Sequence, residues 1–352
     1  MILVLGQTNS QYNQHCLPLK DVHDVSICTY FKPRLEHPAE IAVFAGDDSL
    51  RGFFRALDRA LEANEYDIIH AHAPHTATLV TLALLIKRRW RLRRKLVYTV
   101  RDSFHDYKPR NKLLMLPALA IWPRVVFCGH AAHDSYPGMW KRYVRRRARV
   151  VQNAADLDRV GRAIAGAVRD RNDTSFEVMS VGRLEQVKDP LTLLAALRRL
   201  EDKGLRLSFV GAGTMQAQLA DEVQAAGLDN RVELTGLIPR DDVFVRFARS
   251  DLFVSASRGE GLPVAVIEAM ATGCPVVLSD IPPHRELAEG VDFVPFVPLG
   301  DVQGFAREIE RFRDMSPEER RAIGQKCQDL ARSRFSLPTM HAAYEKVYGE
   351  LR

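Results

Sequence analysis

Short, uninterrupted apolar runs alternate along this chain with longer stretches of helical period, and the alternation passes through the sequence twice. Apolar runs without in-and-out alternation read as strands buried on both faces, the pattern of parallel sheets. In the first pass they predict strands over 2–5, 25–29, 68–71, 95–100, 125–128 and 149–151, with helices over 50–63, 76–91 and 112–119. In the second pass the strands fall at 177–180, 206–210, 232–235, 252–255, 276–279 and 293–296. Helices follow at 189–203, 215–226, 240–248, 263–272, 284–289 and 301–314. Strands regularly interleaved with helices imply doubly wound α/β layers, so the chain reads as two Rossmann-like units. The polar stretch 156–174, with one helical segment near 161–168, is the natural connection, and neither internal repeats nor low-complexity runs occur.

Within that pattern the stretch from Ser257 to Val277 sets two carboxylates around a helix start. Pro263 suits a first helical position and Gly273 the position just past the last turn, before a buried strand. Glu260 then lies in the loop ahead of the helix, and Glu268 inside it, roughly 7 Å further along the axis. Free amides at Gly261, Leu262 and Val264 join the helix dipole in favouring an anion between them. A diphosphate suits that gap, with vicinal hydroxyls of flanking sugars donating to each carboxylate. A solvated loop acid and a helix acid in its preferred place would account equally for an isolated pair, so the surroundings decide.

Those surroundings resemble the retaining glycosyltransferases of family 4, whose E-x7-E pattern is matched by Glu260 and Glu268 inside EGLPVAVIEAMATGCPVV. The resemblance extends to Val181-Gly182-Arg183-Leu184 with Lys188, to Phe209-Val210-Gly211-Ala212-Gly213 and to Leu234-Thr235-Gly236. It continues through Asp280 to Glu286 and from Phe335 to Tyr344 and Tyr348. It implies a GT-B architecture: an acceptor-side Rossmann-like domain over 1–160 and a nucleotide-sugar-binding one over 161–334 facing it across a cleft. A C-terminal helix over 335–352 would return to the first domain. By the same resemblance Arg183, Lys188 and Glu260 carry the chemistry, Glu260 on the donor hexose and Glu268 on the ribose hydroxyls. Gly182, Gly211, Gly213, Gly261, Leu262, Pro263 and Val264 would line the donor, and Leu237 and Ile238 would flank the base.

Physical roles fit these assignments. A guanidinium and an ammonium five residues apart, in a loop that follows a strand, can converge on a diphosphate and offset the leaving group's charge. Gly211 and Gly213 permit a close backbone approach, but position 216 is Gln216 where a dinucleotide fingerprint wants a third glycine, which argues against a dehydrogenase. Neither carboxylate reads as a nucleophile, and the resemblance implies front-face attack resting on positioning and charge. No cofactor or metal is implied beyond the nucleoside diphosphate sugar, a UDP- or GDP-sugar, as co-substrate. Asp156-Leu157-Asp158 reads as connection, not as a metal ligand set.

The first half departs from the family. Gln7, Thr8 and Asn9 follow Gly6 where many relatives carry paired glycines. Arg101 and Asp102 stand after the strand over 95–100 where relatives often place a histidine, so Arg101 or His105 takes that place. Gln7, Thr8, Asn9, Arg101, Asp102 and His105 are therefore the acceptor-side candidates, while His70 and His72 would shape the site's floor.

Composition narrows the class further. The 352 residues are 46% apolar with a net charge of +6, enough for two ordinary domains. No apolar run reaches the roughly 18 residues a transmembrane helix needs. Five cysteines without a CxxC pair suit a reducing cytosol. Residues 1–170 hold 27 Lys and Arg against 16 Asp and Glu, whereas 171–352 hold 23 against 28. Much of the surplus sits from Lys87 to Lys95 and from Lys141 to Arg147, clusters interleaved with aromatics that suit an anionic membrane surface or a solvated face. No nucleic-acid module accompanies the charge. The reading is a cytoplasmic, or peripheral inner-face, hexosyltransferase acting on a saccharide or lipid-linked acceptor in envelope polysaccharide or glycolipid synthesis. An epimerase or hydrolase of the same fold, or an inactive nucleotide-sugar binder, is the alternative.

Overall fold

The computed structural model describes residues 1–6, 19–33, 41–166 and 175–351. The chain divides into two compact units, one comprising Met1–Gln152 with Pro338–Arg352, the other Asn153–Leu337.

In the first unit, β1 (Ile2–Leu5), β2 (Ser26–Thr29), β3 (Ala42–Phe44), β4 (Ile69–Ala71), β5 (Leu96–Val100), β6 (Arg124–Phe127) and β7 (Ala148–Val150) form one parallel sheet. Its order is β3-β2-β1-β4-β5-β6-β7. The order reverses between β1 and β4, which pair through Ile2 with Ile69 and Val4 with Ala71. Reversal leaves a crevice at the strands' carboxyl ends, where open α/β sheets bind ligands. The core runs from Ile2 and Val4 through Phe53 and Tyr98 to Trp122 and Phe127.

The second unit builds a parallel sheet from β8 (Phe176–Val181), β9 (Leu205–Val210), β10 (Val232–Gly236), β11 (Leu252–Ser255), β12 (Val276–Ser279) and β13 (Phe296–Val297). The order β10-β9-β8-β11-β12-β13 reverses between β8 and β11, which pair through Leu252 with Val178. The loops after β8 and β11 carry Arg183, Lys188 and Glu260, so the sequence motifs fall at this unit's switch point. Two apolar layers hold the sheet. One is centred on Phe244, Phe253, Ile267 and Met270, the other on Leu193, Phe209, Phe305 and Phe312.

Several sequence expectations shift. Strand β3 was not predicted; it is three residues long and only partly buried, so its apolar signal is weak. The helix predicted over 76–91 spans Pro74–Ile86, and Trp90–Lys95 is a separate 3-10 helix after Arg88 at φ 53°. Like charges crowded from Lys87 to Lys95 would repel at i,i+4 in a continuous helix. The helix predicted over 112–119 is two short ones, Pro109–Leu114 and Leu116–Ile121, because Pro117 lacks an amide to continue the first. Strand β13 lies three residues later than the predicted start at 293. Helix Pro317–Arg334 was missed, although Ser316 and Glu319 form a capping box that the sequence displays. The division falls at Gln152 and Asn153 rather than at 160. Helix Leu157–Ile164 packs against helices of the second unit, and Val160 is buried in that unit's core, so residues 156–164 are not a connection.

Candidate active site

Helix Val264–Ala271 is buried on nearly every side, and Glu268 is its one ionisable residue. Pro263 serves as its N-cap, one position earlier than the sequence implied. At the other end Gly273 adopts φ 81°, with Gly273 N donating to Met270 O (3.0 Å) and Cys274 N to Ala269 O (3.2 Å). This is a Schellman closure that only glycine enters without strain. Gly324 of helix Pro317–Arg334 lies against that turn so closely that a Cβ there would sit 2.0 Å from Gly273 O. The first amides of the helix, at Val264, Ala265 and Val266, have no intrahelical acceptor and sum with the dipole at its mouth.

Glu268 is fully buried, and its carboxylate receives both Arg240 nitrogens in a fork, Nε to Oε1 at 3.0 Å and Nη2 to Oε2. Burial pushes the Glu268 carboxyl above its ordinary value, and Arg240, then Arg159 from further away, pull it back. Arg240 escaped the sequence reading. Its signal was its position, because a cation at the first residue of helix Arg240–Arg249 opposes the helix dipole and needs another reason to be there.

Lys188 donates to Glu260 Oε1, so the loops after β8 and β11 meet through an ion pair in which both side chains are largely buried. Asp189, the next residue, adopts φ 47° and accepts Arg258 Nε at 2.8 Å and Nη2 at 2.7 Å. Arg258 N also donates to Val187 O at 2.8 Å. A left-handed non-glycine residue costs roughly 1 kcal/mol, and here the Arg258 pair holds it. Arg183 is exposed, and its side chain has no hydrogen-bond or ion-pair partner among the described residues.

The glycines of the second motif serve a close approach of backbone to backbone. A Cβ on Gly211 would sit 2.0 Å from Gly182 O, and one on Gly213 2.3 Å from Leu184 O. Leu184 N donates to Ala212 O (3.1 Å) and Met215 N to Leu184 O (2.9 Å), fixing the Arg183 loop to its neighbour. Leu237 is 83% exposed beside Gly236, whereas Ile238 packs on the core layer beneath helix Val264–Ala271. Leu262 is buried, and its carbonyl accepts Asn153 Nδ2 at 2.9 Å. His284 is fully buried, its Nδ1 donating to Ser279 O (2.8 Å), with burial holding its imidazole below the ordinary value and Glu260 opposing that shift. An open cavity of about 860 Å³ flanks the same turn, lined by Gln186, Asp189, Met215 and Arg258 among others. Arg183, Lys188, Glu260 and Glu268 do not line it, so cavity size alone would not have located the charged cluster.

In the first unit Gln7, Thr8 and Asn9 lie outside the described residues. Arg101 Nη2 lies 2.7 Å from His72 Nδ1, and the amides of Arg101 and Asp102 both donate to Tyr107 Oη, at 3.1 and 3.2 Å. His105 is exposed and pairs with Asp106 at 3.5 Å. The fully buried His70 lies 2.9 Å from Tyr348 Oη and 2.7 Å from Thr99 Oγ1. Its neighbour His72 lies against it, with ring centroids 3.9 Å apart and ring planes tilted by 35°. Desolvation, with Arg101 second, holds the His70 imidazole well below its usual range. It is thus a neutral anchor for helix Leu337–Gly349.

Two family models match the chain in succession: Glycosyltransferase Family 4 over residues 19–159 and Glycosyl transferases group 1 over 165–329. The chain belongs to the family-4 glycosyltransferases. A relative in Escherichia coli is a UDP-Gal:alpha-D-GlcNAc-diphosphoundecaprenol alpha-1,3-galactosyltransferase, 28% identical over 84% of this chain and 78% of its own. Among solved structures, Anabaena HepE in complex with UDP-glucose superposes with a TM-score of 0.78, at 20% identity and 99% coverage of both chains. The sucrose-phosphate synthase of Thermosynechococcus elongatus superposes at 0.79, with 18% identity over 99% of this chain and 98% of that one. The glycosyltransferase fold is thus GT-B, built from two parallel-sheet α/β units. Among the described residues of this glycosyltransferase no helix is long and apolar enough to cross a membrane.

Proposed function

We propose that this glycosyltransferase moves a hexose, with retention of anomeric configuration and without a metal, from a UDP- or GDP-sugar to a hydroxyl of a saccharide or lipid-linked acceptor. The observation that carries the reading is the meeting of Lys188 with Glu260 at the switch point, beside the mouth of helix Val264–Ala271. A diphosphate there gains the Lys188 ammonium, the free Arg183 guanidinium and the helix amides. Glu260 accepts from hexose hydroxyls, and Glu268, aimed by Arg240, from those of the ribose. The side chains nearest the chemistry are thus positioning and charge-bearing groups, suited to stabilising a departing diphosphate that takes the acceptor's proton. The exposed Leu237 offers one apolar face for a base.

The relative from Escherichia coli, acting from UDP-Gal on a diphosphoundecaprenol-linked sugar, supports a lipid-linked acceptor, and HepE with UDP-glucose supports a uridine donor. A lipid-linked acceptor places the enzyme at an inner membrane face, consistent with the basic clusters from Lys87 to Lys95 and from Lys141 to Arg147. Arg101, Asp102 and His105, with Gln7, Thr8 and Asn9, remain the acceptor-side candidates. The test is calorimetric titration of UDP-, GDP- and ADP-sugars, then an acceptor screen with the tightest donor and NMR assignment of the product anomer. An inverted product, or donor binding that ends in epimerisation or hydrolysis alone, overturns the reading.

A further inference from the structure

The Lys188–Glu260 pair has a third neighbour. Strand β12 ends at Ser279, and the short helix Pro282–Leu287 that follows turns Pro283, His284 and Leu287 into the core. Ser279 ties β12 to the loop after β11, its Oγ donating to Ser257 O at 2.5 Å, three residues ahead of Glu260. That bond uses the hydroxyl's only hydrogen, so toward His284 Nδ1, 3.1 Å away, Ser279 Oγ presents lone pairs alone. Ser279 O, 2.8 Å from the same nitrogen, is an acceptor too. Nδ1 therefore carries the proton of the ring. Burial first of all, with Lys188 adding to it against the pull of Glu260, keeps that ring neutral.

The other nitrogen, Nε2, is then a lone-pair acceptor, and it is buried without a hydrogen-bond partner among the described residues. Folded proteins hold few such groups, and each calls for a reason. His284 has no exposed surface, so no sugar or phosphate reaches it directly. The charged groups that act on the ring are Glu260 and Lys188. A carboxylate has no hydrogen to give. The Lys188 ammonium has three, and only one is engaged, at Glu260 Oε1. Its stem lies along Gly182, where a Cβ would stand 3.6 Å from Lys188 Cε, 3.7 Å from Cδ and 3.8 Å from Cγ, so the ammonium turns at the end of a packed chain.

We infer that His284 positions Lys188: when a diphosphate draws the ammonium toward the mouth of helix Val264–Ala271, a second Lys188 hydrogen passes to His284 Nε2 and the third is left aimed at phosphate. His284 is thus a positioning residue, acting through Lys188 and not on the donor itself. This role rests on the proposed function for its diphosphate, and adds what holds Lys188 once Glu260 accepts from sugar hydroxyls.

The full chain, with histidine labelled in its ring nitrogens, is titrated with UDP and with GDP while calorimetry follows binding. The His284 Nε2 resonance, identified by its loss in H284N or H284Q, is expected to move toward the hydrogen-bonded range as nucleotide saturates, and to stay in place in nucleotide-saturated K188M. The two variants divide the ring's functions. H284N keeps an N–H for Ser279 O and removes the Nε2 acceptor, whereas H284Q gives up that N–H and carries an amide oxygen out to the Nε2 position. H284N should bind the nucleotide diphosphate about 10-fold more weakly than wild type, the contribution of one hydrogen bond to a charged group. H284Q should bind more tightly than H284N, although H284N, with its Ser279 bond, unfolds at the higher temperature. A role in packing alone would make affinity follow stability. That result overturns the inference, as does a resonance that stays put at saturation or moves equally in K188M. If neither nucleotide binds, the proposed function falls and this role with it; binding that leaves the His284 resonance unmoved removes His284 alone.

Discussion

Arg240 forks onto Glu268 within an apolar layer, and the two residues begin and pass through different helices, Arg240–Arg249 and Val264–Ala271. Removing the guanidinium leaves a fully buried carboxylate without its counter-charge, a change that costs about 3 to 5 kcal/mol in closed sites. Arg240 itself is 28% exposed, so water relieves part of this and about 2 kcal/mol is expected for R240Q by urea denaturation. The loss should depend on pH in a definite direction. With Arg240 gone, the Glu268 carboxyl moves further above its unfolded value, so the folded state holds a proton that the unfolded state has released. Stability then falls as pH rises from about 4.5 through the raised folded value, and R240Q should be nearer wild type at pH 5 than at pH 8. Adding E268Q should recover much of the loss at pH 8. An R240Q chain as stable as wild type at both pH values would remove Arg240 from this role.

Lys188 and Arg183 differ in surroundings, and the difference predicts different phenotypes. Lys188 is already fixed by Glu260, whereas Arg183 projects from its loop. In the proposed transfer, K188M should lower kcat by two to three orders of magnitude, the range for deleting one fixed charge-stabilising donor. R183Q should act more through donor affinity, raising KM for the nucleotide sugar by about tenfold, since a flexible exposed side chain contributes less at the transition state. Steady-state kinetics with donor varied at saturating acceptor separates the two effects. Wild-type kcat in K188M would dismiss its proposed part in the chemistry.

Asp189 stands in the left-handed region directly after Lys188, held by Arg258. D189A keeps a Cβ in that strained conformation and loses the pair, while D189G loses the pair but relieves the strain. The glycine variant should therefore be more stable than the alanine variant by about 1 kcal/mol in denaturant unfolding. Both should weaken donor binding if the pair aligns Lys188 with Glu260. Equal stability of the two would mean that the turn relaxes when Arg258 is released.

The alternation of apolar runs and helical periods was enough to read both parallel sheets, because a strand buried on two faces has a continuous apolar signature. The same rule hid β3, short and half-covered. Charge repulsion ended helix Pro74–Ile86 before the periodic pattern did, and the polar helix Pro317–Arg334 buries little beyond Gly324, Cys327, Leu330 and Ala331. At the site, the resemblance to family 4 brought forward Glu260, Glu268, Arg183 and Lys188, which are close along the chain or attached to recognisable loops. Arg240 and Arg258 act on partners 28 and 69 residues away. Pairing over such separations leaves no local period to read, so these two arginines emerge only when the strands are ordered in space.

His70 links the core of the first unit to its C-terminal helix through Tyr348, and burial keeps its imidazole neutral. In the unfolded chain the same residue takes up a proton near the ordinary value of about 6.5. The unfolded state therefore binds more protons below that pH, and stability falls as the solution is acidified from about 6.5 toward the depressed folded value. His75 and His284, also held low by burial, act in the same direction. Each such group contributes up to about 1.4 kcal/mol per pH unit in that window. H70Q should be less stable than wild type at pH 8, having lost the bonds to Tyr348 and Thr99, yet should lose less stability between pH 7 and pH 5. Denaturant titrations at the two pH values measure the difference directly. An acid sensitivity identical to wild type would mean that His70 becomes protonated in the folded state despite its burial.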